Sequence, residues 1–294
     1  MNIGIIGLGL IGGSLGLDLR SLGADSAENA TPEGYRKPGR VLGVSRRQST
    51  CDRAVALGAV DEADADLSLM AQADLIFICT PLSAIAPTVE QLVDHLKPNA
   101  ILTDVGSVKT PVVRTLSPLW PNFVGGHPMA GTAESGIEAA QFHLFAGRPY
   151  VVTPTETTPP AAVREVVAIA ESLEAKVYSC PPEAHDRAVA WISHLPVMVS
   201  AGLIASVAGE TDPEVLDLAH KLASSGFRDT SRVGGGNPEL GVMMAKYNRE
   251  AVVRSLHTYR QTLDEIADAV VREDWGELER YLTDTQKARS QFNL

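Results

Sequence analysis

A short apolar segment followed at once by a glycine motif constrains the fold of this 294-residue chain more than any other feature. Residues 2–7, Asn-Ile-Gly-Ile-Ile-Gly, have the composition of a buried strand in a parallel sheet. The motif Gly7-Leu-Gly-Leu-Ile-Gly12 continues from it and leads into an apolar helical run that reaches Leu22. With a strand before it and a helix after it, this spacing predicts a βα unit that binds the pyrophosphate of a dinucleotide.

Each glycine of the motif has its own physical purpose. Gly7 permits a tight turn, Gly9 lets the backbone approach a pyrophosphate, and Gly12 lets the helix pack closely on the strand. Leu10 and Ile11 begin the helix, whose N-terminus faces the phosphates. The alternative is a tight turn that binds nothing.

The end of the second predicted strand indicates which dinucleotide is bound. An NAD site normally places an acidic side chain there, to accept a hydrogen bond from the ribose 2′-hydroxyl. After the strand at residues 41–44 this chain instead has Ser45, Arg46 and Arg47, which suit a 2′-phosphate and predict NADP. The alternative is an arginine pair exposed on the next helix.

Polar residues follow two further predicted strands on the same edge of the sheet. Thr80 and Pro81 form the carboxyl end of the strand at residues 73–81, beside the expected cofactor cleft, and Ser107 follows the strand at residues 100–105. Ser107 either caps the helix that follows or makes an active-site hydrogen bond.

His127 is the candidate for the chemistry. It lies in the segment Phe-Val-Gly-Gly-His-Pro-Met-Ala-Gly, residues 123–131, on a predicted loop at the carboxyl edge of the sheet, where open α/β folds bind ligands. Because imidazole accepts a proton near neutral pH, His127 is predicted to be a catalytic base. The alternative is a loop histidine satisfied by backbone groups.

Two domains are predicted. The strand–helix pattern continues to residue 179, which assigns residues 1–180 to an α/β domain with a doubly wound parallel sheet. Residues 181–294 have a helical pattern and form an all-α domain, and an earlier boundary within residues 153–160 is the alternative. The length agrees with two domains, because single cores stop growing at about 250–300 residues.

The helical segment contains two candidate anion-binding positions. His194 lies on an apolar run, where a proline two residues later should kink the helix, and its alternative is a satisfied core histidine. Arg232 lies in a predicted glycine-rich loop, residues 224–238, where arginines in so acidic a protein suggest an anion site. There the alternative is an ion pair between Arg228 and Asp229.

An apolar stripe on a long predicted helix indicates self-association. Its members recur at alternating steps of four and three residues: Val252, Leu256, Tyr259, Leu263, Ile266 and Val270. Trp275, Leu278 and Leu282 extend this apolar surface beyond the need of one small helical domain, which predicts a homodimer.

Composition excludes several classes of partner. The net charge of −11 disfavours nucleic acid and anionic membrane surfaces, which need a basic face, and no segment is predicted to span a membrane. Cys51, Cys79 and Cys180 fit neither a metal spacing nor a disulfide framework, so we expect no metal and a cytoplasmic location. Residues 23–40 are polar and rich in glycine and proline, which predicts a surface loop.

The glycine motif, Gly106-Ser-Val-Lys109, the histidine segment at 123–131, Ser193-His-Leu-Pro196 and the segment ending at Arg232, in this order, resemble the prephenate/arogenate dehydrogenase family of tyrosine biosynthesis. The resemblance covers nearly the whole chain. The arginines after the second strand, with Ala190-Trp-Ile-Ser-His-Leu-Pro196, are most similar to the cyanobacterial NADP-dependent arogenate dehydrogenases. The resemblance implies a Rossmann-like domain, a helical dimerisation domain and an active site in the cleft between them.

The implied reaction is the oxidative decarboxylation of a cyclohexadiene that bears a ring hydroxyl and, across the ring, a carboxylate. The resemblance implies that His127 accepts the hydroxyl proton and that Ser107 hydrogen-bonds the hydroxyl or the histidine. His194 and Arg232 would hold substrate carboxylates. Many prephenate-using bacterial members have Asp-Pro-x-x-Trp where this chain has Asn-Pro-Glu-Leu-Gly at 237–241, which favours arogenate over prephenate.

Two other classes remain as alternatives. A different reductase of similar architecture would typically need a lysine or tyrosine base in its helical domain, whereas the histidines and arginines here suit a dicarboxylate. An NADPH-sensing module would not need His127 and Ser107 on one edge of the sheet.

Overall fold

A computed structural model describes residues 1–24, 38–132 and 134–292, so the predicted loop at residues 23–40 lies largely outside the described residues. Eight strands form one sheet in the order β3-β2-β1-β4-β5-β6-β7-β8. They are β1 (Ile3–Ile6), β2 (Val41–Val44), β3 (Glu62–Asp64), β4 (Leu75–Ile78), β5 (Ile101–Asp104), β6 (Phe123–Pro128), β7 (Pro149–Thr153) and β8 (Lys176–Ser179).

The first six strands are parallel and have the order of a dinucleotide-binding, doubly wound sheet. The predicted doubly wound parallel sheet is therefore present, and one edge adds an antiparallel pairing. There β7 pairs antiparallel with β6, and β8 runs parallel to β7. A parallel neighbour needs a crossover, usually a helix, and the described part of the β6–β7 connection contains a single 3₁₀ turn at Ile137–Ala139.

Helices cover both faces of the sheet: α1 (Leu10–Ala24), α2 (Gln48–Ala56), α3 (Leu82–Leu92), α4 (Thr110–Leu119) and α5 (Pro160–Ser172). Alternate residues of the central strands therefore enter two separate cores. Ile5 and Phe77 pack in the core that contains residues of α1 and α5. Ile76 and Ile78 pack in the core that contains residues of α3 and α4. Burial on both faces explains why these strands are apolar throughout.

The rest of the described chain is helical: α6 (Pro182–Val189), α7 (Leu195–Ala208), α8 (Pro213–Leu222), α9 (Ser225–Ser231), α10 (Pro238–Tyr247), α11 (Arg249–Val271) and α12 (Trp275–Arg289). The fold class is therefore the predicted one, an α/β domain followed by a helical domain. The loop predicted at residues 224–238 is partly wrong, because α9 lies within it. In α8, α9 and α12 no described side chain is buried.

A π turn at Ala190–His194 joins α6 to α7 in one continuous helical segment. The proline predicts this distortion, because Pro196 has no N–H and its ring crowds the carbonyl of Ile192. By length and composition alone, residues 182–208 could cross a membrane, so the expectation that no segment approaches a span is too strict. The first half of the segment nevertheless carries His185, Asp186 and His194, all buried within the protein.

Candidate active site

His127 lies in β6, just past the point where β6 stops pairing with β5. The β5–β6 register ends at Thr103↔Val124, whereas His127 pairs with Val151 of the antiparallel strand β7. The histidine is therefore in a strand rather than on the predicted loop, although it keeps the predicted place at the carboxyl edge of the parallel sheet. The antiparallel strand makes this placement possible, because it continues the backbone pairing where β5 ends.

The two glycines before His127 let β6 fit between its neighbours. A Cβ at Gly126 would lie 2.7 Å from the carbonyl oxygen of Asp104 and 3.1 Å from the Tyr150 hydroxyl. A Cβ at Gly125 would lie 2.4 Å from the Thr153 hydroxyl. Any larger residue at these positions would push β6, and His127 with it, away from the sheet.

A buried ion pair supports the same strand. The Lys109 ammonium forms an ion pair with the Asp104 carboxylate, and both side chains have no exposed surface. Lys109 Nζ also donates to the carbonyl oxygen of Gly126 at 2.5 Å. Asp104 accepts hydrogen bonds from the N–H groups of Gly106 and Gly126, at 2.8 and 3.2 Å. Burial lowers the pKa of Lys109, and the neighbouring Asp104 carboxylate opposes that effect.

Behind His127, two residues of α6 continue a chain of short hydrogen bonds. Nδ1 of His127 lies 2.8 Å from Nε2 of His185, and Nδ1 of His185 lies 2.8 Å from Oδ1 of Asp186. Sequence reasoning did not select His185 or Asp186 as site residues. The available signal was an adjacent titratable pair on an otherwise apolar helix, and nothing local indicated that it would meet β6.

Asp186 also joins the helical segment to α4. Its two carboxylate oxygens accept the backbone N–H groups of Lys109 and Thr110, at 2.7 and 2.8 Å, and so cap the N-terminus of α4. The side-chain amide of Asn248, which precedes α11, donates to the Asp186 carbonyl oxygen at 2.7 Å and lies 3.2 Å from Nδ1 of His194. Segments from both domains therefore meet at one polar cluster behind His127.

The electrostatics of this cluster keep His127 and His194 neutral. Burial lowers the pKa of His127 well below its usual value, and His185, Lys109 and His194 lower it further. Burial likewise lowers the pKa of His194 to about 4. For Asp186, burial acts to raise the pKa, but hydrogen bonds from His185 and from the N–H groups of α4 outweigh it and keep the carboxylate ionised.

The remaining predicted substrate residues differ in their surroundings. Nε2 of His194 is buried and has no hydrogen-bond partner among the described residues. Ser107 is half-buried after β5 and does not cap α4, because α4 begins at Thr110 and Asp186 caps it. Arg232 is exposed at the end of α9 and, among the described residues, makes no hydrogen bond to the cluster around His127.

The ion pair between Arg228 and Asp229, predicted as the alternative to an anion site, is present. Arg228 Nε lies 3.0 Å from Oδ1 of Asp229, and both side chains are exposed. Arg232 forms no ion pair within the described part of the chain, so it is the arginine of this segment that is available for an anion.

The glycine motif forms an open cradle at the start of α1. Gly7 has φ +101°, and a Cβ on it would lie 2.6 Å from the Cys79 carbonyl oxygen, while a Cβ on Gly12 would lie 2.1 Å from the Gly7 carbonyl oxygen. At Gly9 a Cβ would meet nothing within 4 Å. The hydroxyl of Thr80, beside this turn, is buried without a partner among the described residues. An open space at a helix N-terminus with an unsatisfied hydroxyl beside it fits a dinucleotide.

Ser45, Arg46 and Arg47 follow β2 at the same edge of the sheet, the serine half-buried and the arginines exposed. Neither arginine side chain has a hydrogen bond or an ion pair within the described part of the chain. Three other arginines of the α/β domain do have acidic partners: Arg20 with Asp61, Arg40 with Glu62, and Arg53 with Glu138. Both guanidinium groups after β2 are thus free to bind a ligand phosphate.

A doubly wound sheet with a glycine cradle at its first βα turn, and a buried neutral histidine on the same edge, defines a dinucleotide-dependent dehydrogenase. The sequence matches the nucleotide-binding domain of prephenate dehydrogenase over residues 33–179 and its dimerization domain over residues 181–284. The chain belongs to the prephenate dehydrogenase family, and it is an oxidoreductase of aromatic amino acid biosynthesis that uses a nicotinamide cofactor and a small-molecule substrate.

Individual relatives agree with this family. Prephenate dehydrogenase of Bacillus subtilis is 30% identical over 99% of this chain and 76% of its own length. The crystal structure of Synechocystis arogenate dehydrogenase is 52% identical, with 99% of each chain covered and a TM-score of 0.85. The structure of Aquifex aeolicus prephenate dehydrogenase with hydroxyphenyl propionate and NAD⁺ is 28% identical, covers 99% of this chain and 98% of its own, and has a TM-score of 0.89. The predicted family and fold class are confirmed.

Proposed function

We propose that this enzyme is an NADP-dependent arogenate dehydrogenase, which converts arogenate to tyrosine with loss of CO₂. The observation that carries the activity is His127, which is buried, neutral and hydrogen-bonded through Nδ1 at the edge of the sheet that holds the glycine cradle. The substrate assignment is supported by the 52% identity to the Synechocystis arogenate dehydrogenase. Prephenate, which has a keto group in place of the amino group, is the alternative.

The reaction assigns one task to His127. Bound NADP⁺ supplies the acceptor for the hydride that leaves the carbinol carbon of the ring. Nε2 of His127 has no hydrogen-bond partner among the described residues, so it is free to accept the proton of the ring hydroxyl as the hydride departs. The bond to the ring carboxylate then breaks, CO₂ leaves, and the electron pair of that bond completes the aromatic ring.

His194 and Arg232 would hold the two carboxylates of the substrate. The Asn248 amide donates toward Nδ1 of His194, so the proton of the neutral ring lies on Nε2, a buried donor that lacks an acceptor. A substrate carboxylate would supply that acceptor. Arg232 would bind the other carboxylate, and the hydroxyl of Ser107 would donate to the ring hydroxyl or to His127.

Cofactor recognition is divided between two parts of the first domain. The backbone of Gly7, Gly9, Leu10, Ile11 and Gly12, with Thr80 and Pro81 at the end of β4, would hold the pyrophosphate and the nicotinamide half. Ser45, Arg46 and Arg47 would bind the 2′-phosphate, because the two guanidinium groups have no partner within the described part of the chain and no acidic side chain stands at this strand end.

The segment at 237–241 differs in sequence from many prephenate-using members. Its last residue, Gly241, bears on the choice of substrate. Asn237 caps α10 by accepting the N–H of Glu239 at 2.9 Å, a task that aspartate would perform equally well. Gly241 faces α7, since a Cβ there would lie 3.7 Å from Val197, three residues after His194. The absence of a large side chain at Gly241 leaves space close to the proposed carboxylate site, which supports a substrate other than prephenate.

We also infer a cytoplasmic homodimer whose domains divide after residue 180, where β8 has ended and α6 is about to begin. The helical domain leaves many large apolar side chains at least four-tenths exposed: Val215, Leu218, Leu222, Leu240, Val242, Val253, Leu263, Val270, Val271, Trp275, Leu282 and Phe292. A second copy would cover them. The three unpaired cysteines suit a reducing cytoplasm.

The test is a comparison of kcat/KM for arogenate and prephenate, each with NADP⁺ and with NAD⁺. We expect arogenate with NADP⁺ to give the highest value, with tyrosine and CO₂ as products. A higher value with prephenate would overturn the substrate assignment, and reduction of neither cofactor with either substrate would overturn the activity. Light scattering of the purified protein tests the dimer separately.

A further inference from the structure

We propose that His185 and Asp186 are positioning residues, which hold His127 in the one tautomer that can act as a base. This inference rests on the proposed function, because it takes His127 as the group that accepts the substrate proton. Neither residue touches the space at Nε2 of His127. They act through the two hydrogen bonds that join Asp186 to His185 and His185 to His127.

The direction of these hydrogen bonds follows from the chemistry of their ends. An ionised carboxylate can only accept, so Nδ1 of His185 carries a proton and donates it to Oδ1 of Asp186. With its single ring proton on Nδ1, His185 has an acceptor at Nε2, which lies 2.8 Å from Nδ1 of His127. Nδ1 of His127 must therefore carry the proton, which leaves the lone pair on Nε2, facing the substrate.

Asp186 can impose this direction because its own position is fixed. Both oxygens already accept N–H groups at the start of α4, so the carboxylate cannot rotate without uncapping that helix. His185 is 2% exposed and Asp186 is 4% exposed, so water does not compete for these bonds. The Asp186 carboxylate also stabilises the positive charge that the pair His127 and His185 acquires when His127 accepts the proton.

The other titratable groups described around His127 do not supply the negative charge that Asp186 provides. Lys109 is cationic, disfavours a charged imidazole, and is already paired with Asp104. His194 also disfavours that charge. The phenol of Tyr150 and the thiol of Cys79 lie in the same buried region, and burial raises the pKa of both groups, so neither provides an anion. Asp186 is thus the anion that reaches His127, through His185.

Two substitutions of His185 separate positioning from proton transfer. In His185→Gln, the side-chain oxygen can accept from Nδ1 of His127 while the amide N–H donates to Asp186, so both bonds are kept by a group that does not titrate. His185→Met keeps bulk and removes both bonds. Glu183→Gln is the matched control on the same helix, because Glu183 only makes an exposed ion pair with Arg114 of α4, at 3.0 Å.

The first readout needs no substrate. In nitrogen-15 spectra of histidine-labelled enzyme, assigned with His127→Asn, we expect His127 to be protonated on Nδ1 in the wild type, in His185→Gln and in Glu183→Gln. In His185→Met we expect a large part of the proton to move to Nε2, because Nδ1 has lost its acceptor. A wild-type ring protonated on Nε2, or an unchanged ring in His185→Met, would overturn the proposal.

The second readout is kinetic. We expect kcat to fall about ten- to a hundred-fold in His185→Met, clearly less in His185→Gln, and not measurably in Glu183→Gln. In Asp186→Asn, loss of the negative charge should lower the pKa of His127 and move the acid limb of the kcat/KM profile to lower pH. Two results would contradict the positioning role: a kcat in His185→Gln as low as in His185→Met, or no change of kcat and of the acid limb in any of these variants. An active His127→Asn enzyme would instead overturn the proposed function.

Discussion

The ammonium group of Lys109 lies 2.5 Å from the carbonyl oxygen of Gly126, the residue that precedes His127 in β6. Lys109 also pairs with Asp104 of β5, and its own N–H is held by Asp186. Lys109 therefore holds β6, the strand that bears the proposed base, and its backbone N–H joins the start of α4 to Asp186 of the helical domain. Its side chain has no exposed surface, so its charge depends entirely on these partners.

Lys109→Met should lower the free energy of unfolding by about 3–5 kcal/mol, because it leaves the Asp104 carboxylate buried without its cation. Lys97→Met is the matched control, since Lys97 pairs with Asp74 at 2.5 Å with both side chains more than a third exposed. That change should cost at most about 1 kcal/mol. Denaturant titration of both variants measures the difference, and similar losses would contradict the assigned importance of the buried pair.

Arg46→Ala should weaken binding of NADP⁺ by roughly ten-fold or more and leave NAD⁺ binding unchanged, because each charge-assisted bond to the 2′-phosphate contributes about 1.5–3 kcal/mol. Arg53→Ala on α2 is the control, since Arg53 is already paired with Glu138 at 2.8 Å. Titration of both cofactors against the wild type and the two variants measures the effect. Equal weakening of NAD⁺ and NADP⁺ by Arg46→Ala would assign the arginine a structural task.

The parts of the fold that sequence predicts well are those with strong local patterns. The strand and glycines at residues 3–12 fix their own conformation, because a Cβ at Gly7 or Gly12 would meet backbone atoms. Burial on both faces gives β4 its continuous apolar run. The short strand β3, Glu62–Asp64, has no such pattern because it is only partly buried at the edge of the sheet, and sequence analysis did not find it.

The support of His127 could not be predicted, since it depends on contacts between residues far apart in the chain. His185 contacts His127 although 58 positions separate them in the sequence, and Asp186 caps a helix that begins 76 residues before it. Sequence patterns report on neighbours within a few residues, so they identify the base and not its partners. The reversal of β7 was missed for a similar reason, because strand direction depends on how the connection returns.

His127→Asn should lower kcat by about 10²–10⁴-fold with little change in NADP⁺ affinity, because asparagine keeps some hydrogen bonding but cannot accept the proton. Arg232→Ala should give the contrasting result, a large rise in KM, since it binds a carboxylate already present in the free substrate. Steady-state kinetics with a check of folding by circular dichroism measures both. A nearly normal kcat in folded His127→Asn enzyme would require another base, with His194 as the next candidate.

The buried histidines should make the protein less stable in mild acid. Burial lowers the pKa of His194 from 6.5 to about 4, and that of His127 well below 6.5, so both stay neutral in the folded chain while the unfolded chain takes up protons near pH 6.5. The unfolded state then binds more protons, and stability that is fully present above pH 6.5 is lost as the pH falls toward about 4. Each such histidine should contribute a slope of about 1.4 kcal/mol per pH unit in that window. Denaturant titrations at several pH values should show a shallower loss for His194→Gln and an unchanged loss for His257→Gln, whose histidine is exposed on α11. A pH-independent free energy of unfolding between pH 6.5 and 4 would mean that these rings take up protons in the folded state.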